Sequence, residues 1–296
     1  EGFLSSANAP LTVDLRKGGN MPFLLPDSYR DRFHRRLDFL YSFDESRSLP
    51  GVVKPKLMEE WDAFARSAQK MINSPKVTGI FELKEDERKR YGGTPLGDAC
   101  LMARNMVEAK AGARYILVNQ GGWDHHGEIY GKSDKGQMED KRMRGGLYAN
   151  CGELDPALAA LMADLKSTKD DSGRTLLDKT LVLVMGEFGR TPGELTDIKG
   201  RDHWPAVRAG LFAGGGVKGG RIIGATDDKG GAITDFGWSN KRPVYPEDVT
   251  ATIYSALGID WTKRLKGTPS GRDFEYVEKM SGTTFFNSGE IRELFT

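Results

Sequence analysis

Three of the four histidines in this chain fall in two short segments, Gly121-Gly122-Trp123-Asp124-His125-His126-Gly127 and Gly200-Arg201-Asp202-His203-Trp204-Pro205. Between them lies Gly186-Glu187-Phe188-Gly189-Arg190-Thr191-Pro192, directly after the apolar run Leu181–Met185. Imidazole and carboxylate together suit a borderline-to-hard divalent ion. Asp124, His126, Glu187, Asp202 and His203 are therefore the candidate ligands, for zinc or manganese first, with calcium or magnesium also compatible with the carboxylates. In an extended segment alternate side chains face the same way, so Asp124 and His126 can point at one ion while His125 faces away. By the same rule Asp202 and His203 diverge, and Asp202 is then either a ligand or the hydrogen-bonding support of His203. Arg190 carries the planar fork that binds an anionic ester, or else locks its own loop. Glu187 has a second reading as the ion-pair partner of Arg190 or Arg201. Trp123 and Trp204 either wall the site or pack beneath its loops, and His34, among Arg32, Arg35 and Arg36, reads as a solvated helix face.

These residues need elements to hold them. Leu57, Trp61, Phe64, Ala68 and Ile72 recur at helical spacing after Pro55. Thr94-Pro95 is an N-cap followed by a first-turn proline, ahead of the stripe Leu96, Ala99, Cys100, Ala103 and Val107. Further helices are expected around Leu154–Leu165 and from Pro246 to Leu257. The runs 115–118, 181–185 and 207–213 are wholly or mostly apolar and read as buried strands. Helices alternating with such strands predict an α/β three-layer sandwich with a mostly parallel sheet. Sites in such sheets form beyond the carboxyl ends of strands. Asp124-His125-His126 follows the run 115–118 and Glu187 the run 181–185. Arg201-Asp202-His203 precedes the third run and is expected to reach the same rim through the loop starting at Thr191. Residues 1–54 are expected to be an irregular segment lying across the rest, and 55–296 the α/β domain.

With 43 basic and 42 acidic residues the formal charge is +1, so no global field recruits nucleic acid or an anionic membrane. No apolar run approaches the roughly 20 residues of a membrane-spanning helix. Two cysteines, Cys100 and Cys151, exclude a disulfide scaffold. Gly214-Gly-Gly-Val-Lys-Gly219 fits a dinucleotide-binding glycine pattern, but Arg221-Ile-Ile-Gly224 follows where a helix is needed. A nucleotide-dependent oxidoreductase is accordingly ranked last. The polar, glycine-punctuated stretch from Gly127 to Gly152, with Lys132, Asp134, Lys135, Glu139, Asp140, Lys141, Arg142 and Arg144, is expected to be a loop bordering the site, as a lid or partner surface or as a passive insertion.

Taken together, Gly-Gly-Trp-Asp-x-His, Gly-Glu-Phe-Gly-Arg-Thr-Pro and Gly-Arg-Asp-His-Trp-Pro resemble the DUF1501 family of uncharacterised bacterial proteins. The resemblance includes Ala213–Gly220, Gly224–Asp227, Pro246–Asp248, Ala251–Asp260 and Gly289–Phe295, and runs from about residue 80 to the C-terminus. It implies kinship with the alkaline phosphatase and sulfatase superfamily, whose members bind one or two metals at the carboxyl edge of the sheet. In the family pattern a non-histidine residue stands at the place of His125, which implies His126 as the ligand. Glu187 stands where the superfamily's hydrolases have an Asp-His pair. The resemblance further implies export to the periplasm or cell surface. It also implies an N-terminal portion, absent from this chain, that would bring a bridging aspartate and the nucleophile and would act as a partner. The functional expectation is a metal-dependent hydrolase of phosphate or sulfate esters, acting on a small anionic substrate. Its alternative is a non-catalytic, metal-binding interaction or structural protein of the same fold, engaging a protein partner.

Overall fold

The computed structural model describes residues 10–15, 24, 26–46, 55–131, 146–277 and 288–296. Its best-packed part is helical. Helix α1 (Asp27–Ser46) and helix α2 (Lys56–Ile72) precede two short helices, α3 (Pro75–Phe81) and α4 (Glu85–Arg90). Helix α5 (Pro95–Glu108) starts where the sequence places it, because the Thr94 hydroxyl accepts the Gly97 amide at 3.1 Å and Pro95 needs no partner for a missing N–H. Helix α6 (Gly146–Ser167) packs along it. Tyr91, Leu96, Cys100, Leu101, Ala157 and Ala160 form the buried cluster between them. Close approach is possible at Gly92, whose φ is +95° and whose absent Cβ would lie 3.1 Å from Pro156.

Charged groups frame this core. Asp164 accepts two hydrogen bonds from Arg90, each 2.7 Å, and one from the Tyr91 hydroxyl at 2.8 Å. Arg88 donates twice to Asp98, at 2.8 Å each. Burial, with the Asp164 carboxylate as acceptor, raises the Tyr91 phenol well above its ordinary value. A second cluster joins Trp238, Val249, Ile291 and Leu294 around helix α7 (Pro246–Ala256). There Asp248 accepts Arg242 twice, and also the backbone amides of Tyr245 and Gly289.

Strands are short. β1 (Val182–Met185) pairs antiparallel with β4 (Gly210–Ala213), and β2 (Gly189–Arg190) with β3 (His203–Trp204). β5 (Ala225–Thr226) with β6 (Ile233–Asp235), and β7 (Arg264–Leu265) with β8 (Phe274–Glu275), complete the four ladders among the described residues. All four are two-stranded and antiparallel. No helix among these residues is long and apolar enough to cross a membrane.

Three local expectations are corrected. Residues 115–118 join no ladder, and their side chains alternate: Ile116 and Val118 turn inward, Val118 reaching the α5–α6 cluster, while Leu117 is 74% exposed. An apolar run fixes a preference for extended backbone but supplies no neighbour to pair with. The segment 1–54, read as irregular, contains the 20-residue helix α1. Of its other residues, Val13, Leu15 and Leu24 lie against Ile80, Phe81 and Met102. The loop read over Gly127–Gly152 gives way to helix α6 at Gly146, and Lys132, Asp134, Lys135, Glu139, Asp140, Lys141, Arg142 and Arg144 lie outside the described residues.

Candidate metal centre

The first ligand segment is a bend rather than a strand: the Trp123 carbonyl accepts the His125 amide at 3.0 Å, and the Asp124 carbonyl the His126 amide at 3.1 Å. It is fixed by backbone bonds to a remote stretch, with the Arg201 amide on the His125 carbonyl (3.0 Å) and the Glu128 and Ile129 amides on Ile198 and Lys199. The crossing is so close that a Cβ at Gly200 would lie 1.7 Å from the His126 carbonyl oxygen. Glycine is the residue that fits there.

The second segment is held by the β2–β3 hairpin, in which Arg190 stands opposite His203 and Gly189 opposite Trp204. Thr191 extends the pairing at its loop end by donating its amide to the Asp202 carbonyl (2.9 Å) and accepting the Asp202 amide on its hydroxyl (3.1 Å). A Cβ at Gly189 would lie 2.3 Å from the Val207 carbonyl. Two glycines thus let the ligand-bearing loops pack backbone against backbone.

The outcome is a nearly equilateral triangle of donor atoms. His126 Nε2 lies 3.0 Å from His203 Nε2, His203 Nε2 lies 3.0 Å from Asp124 Oδ1, and His126 Nε2 lies 3.1 Å from the same oxygen. Asp202 Oδ1 accepts from His126 Nδ1 at 2.9 Å. A carboxylate only accepts, so Nδ1 carries a proton in this bond, and in the neutral ring it is Nε2 that faces the triangle as a lone pair. One proton on His203 Nε2 cannot serve both of its neighbours. Two ring nitrogens and a carboxylate oxygen thus lie within 3.1 Å of one another, an arrangement that could hold a cation. Zinc-to-nitrogen and zinc-to-carboxylate bonds of about 2.0–2.2 Å are compatible with a triangle of this size, so Asp124, His126 and His203 would hold such an ion.

Arg190 ties the site together. Its guanidinium donates to Asp124 Oδ1 at 2.6 Å, to the Trp123 carbonyl at 3.2 Å and to the Arg201 carbonyl at 3.4 Å, touching all three motif segments. This guanidinium, followed by the His203 hydrogen bond, holds the Asp124 carboxyl down at about 2. The nearby His125 ring is held below its ordinary value, first by burial and then by the Arg190 charge.

The other candidate residues separate. His125 turns to the Asn150 amide, 3.4 Å from its Nε2. Asp202 supports His126, not the adjacent His203, and is not one of the three clustered ligands. Glu187 is exposed and lies outside the triangle. The Trp123 indole donates to Gln120 and the Trp204 indole to the Gly231 carbonyl. The ring against His203 is Phe188, its centroid 4.1 Å away, a contact sequence reasoning passed over. Its place between the end of β1 and the hairpin is the one available signal.

The glycine-rich turn is structural. Gly214, Gly215 and Gly216 have φ of +66°, +55° and +90°, and a Cβ at Gly214 would lie 2.3 Å from the Thr180 carbonyl. No helix follows, and Lys218 donates its amide to the Leu294 carbonyl at 2.9 Å. The turn docks the C-terminal residues instead of opening onto a ligand.

Loops from three parts of the chain therefore converge on a partly exposed group, Asp124, His126 and His203, that could hold a metal ion. A family model described as "Protein of unknown function (DUF1501)" matches residues 1–284, and the chain belongs to that family. The match includes the first 80 residues, which the motif resemblance did not reach. No curated protein and no solved structure matches the chain.

Proposed function

We propose that this protein is a metal-dependent hydrolase of phosphate or sulfate esters, built on an alkaline phosphatase-like three-layer α/β frame and acting outside the cytoplasm. The observation that carries the reading is the triangle of His126 Nε2, His203 Nε2 and Asp124 Oδ1, with edges of 3.0–3.1 Å. A divalent ion bound there, zinc or manganese, would act as a Lewis acid on an ester oxygen. The chain's own part is to present three ligands, to fix the His126 tautomer through Asp202, and to keep Asp124 ionised through Arg190. Arg190 is a positioning residue in this scheme, because its hydrogen bonds to Asp124 and two carbonyls hold the ligand loops together.

The exposure of the ligand side chains favours a second reading, a metal-binding protein without catalysis, whose open coordination side meets a protein partner. Elemental analysis of the purified chain, joined to a panel of phosphate and sulfate ester substrates, tests both. Stoichiometric zinc or manganese with ester turnover that is lost in His203→Ala supports the hydrolase. Stoichiometric metal without turnover supports the second reading. Protein that binds no divalent ion at neutral pH overturns both.

A further inference from the structure

Helix α2 carries an apolar face that the described residues leave bare. Leu57, Trp61, Phe64, Ala68 and Met71 follow one another at spacings of four, three, four and three, the period of a helix that packs along a second helix. Met58, Ala65 and Ile72 widen the stripe on one side. Yet α2 buries no residue. Leu57 is 78% exposed, Phe64 60% and Trp61 52%. Helix α3 touches α2, and Met71 and Ile72 near its C-terminal end are half-buried. Helix α1 reaches it from the opposite side, through the Tyr41 ring 4.5 Å from the Arg66 guanidinium. At 3.6 residues per turn Arg66 points away from the seam. The window from Leu57 to Phe64 is left facing solvent.

We infer that this face pairs with the same face of a second copy of the chain, the two α2 helices running antiparallel about a twofold axis between Asp62 and Ala63. That register sets Leu57 opposite Ala68 of the second copy and Trp61 opposite its Phe64, so a large side chain meets a small one and a ring meets a ring. The flanking Glu60 comes beside Ser67 of the second copy, so no like charges are opposed. The polar side of α2 holds Lys56, Glu59, Glu60, Asp62, Arg66 and Lys70, three charges of each sign. It therefore lacks the basic excess that draws an amphipathic helix to an anionic membrane. A fully buried aromatic ring removes about 150–250 Å² from water, and with Leu57, Met58, Trp61 and Phe64 between about half and four-fifths exposed the face offers on the order of 450 Å² per copy. Two such faces bury about 900 Å² in total, the size of a weak, reversible association and not of an obligate dimer.

Sedimentation velocity of the full chain from about 1 to 200 μM tests the pairing, with circular dichroism to show that each variant folds. The wild type should pass from monomer to dimer across this range, and Phe64→Asp should raise the dissociation constant at least about 30-fold, because it removes both symmetry-related Trp61–Phe64 contacts. Cys151 is exposed and Cys100 buried, so a Cys151→Ser background allows Glu60→Cys with Ser67→Cys to crosslink two copies, while Glu60→Cys alone should not. Flotation with neutral phosphatidylcholine vesicles covers the other occupant. A chain that stays monomeric throughout, a dimer unaffected by Phe64→Asp, or a monomer that floats with the vesicles overturns the proposal.

Discussion

The α5–α6 core and the metal centre are held together by opposite means. Between the helices, fully buried Leu101 and Tyr91 fill the space and side-chain ion pairs close the rim. At the candidate metal centre the Asp124, His126 and His203 side chains are part-exposed, and position comes from backbone bonds between loops, from glycines at their crossings and from the Arg190 fork. Burial stabilises the first region without directing any group at a ligand. Backbone bonding aims the second while contributing little apolar burial. Stability and function should therefore respond to separate sets of substitutions.

The sharpest separation is the replacement of both His126 and His203 by alanine, which should abolish stoichiometric metal while leaving the ion-free melting temperature within a few degrees. Retained metal in the double variant would show that the triangle is not the site. Leu101→Ala makes the reverse demand. It should cost about 2–5 kcal/mol in denaturant unfolding with metal content unchanged at temperatures where the protein is folded. Gly200→Ala is the one change expected to touch both measurements. Its Cβ meets the His126 carbonyl, so the loops must part, with metal binding lost and stability lower by about 2 kcal/mol. If it binds metal normally, the crossing is looser than its geometry implies.

Finer tests concern support of the ligands. Asp202→Asn keeps the shape but weakens the acceptor that fixes the His126 tautomer. Metal affinity, measured by chelator competition, should fall about 10–100-fold, and an unchanged affinity would remove Asp202 from the site. The smallest effect is a pH slope. The folded state holds His125 below its ordinary value of 6.5, so the unfolded chain binds this proton more readily. Its contribution is complete above about pH 6.5 and is lost as pH falls through the interval down to the lowered folded value. His125→Gln should flatten that part of the ion-free stability profile, and an unaltered slope would contradict the assignment.

Much of the local structure was legible from residue types. Thr94-Pro95 and Pro246-Glu-Asp248 announce helix starts, because a cap and a preset φ act within one turn. The expected strands at 181–185 and 207–213 appear as Val182–Met185 and Gly210–Ala213. Residues 115–118 show the limit, since pairing depends on a neighbouring strand that local composition cannot supply. Asp124, His126 and His203 were legible as chemistry, while Asp202 as the support of His126 was not. That assignment needs a hydrogen bond across 76 positions.

By itself the sequence determined which residue types could bind a cation and where helices start. These are properties of single residues and of backbone periodicity, settled within a few positions. The tertiary structure alone decided that His203 joins Asp124 and His126, that Glu187 does not, that Arg190 serves Asp124, and that Phe188 lies against the ligand ring. Those outcomes depend on how closely remote loops cross, and the crossings at Gly200 and Gly189 set that to within a fraction of an ångström.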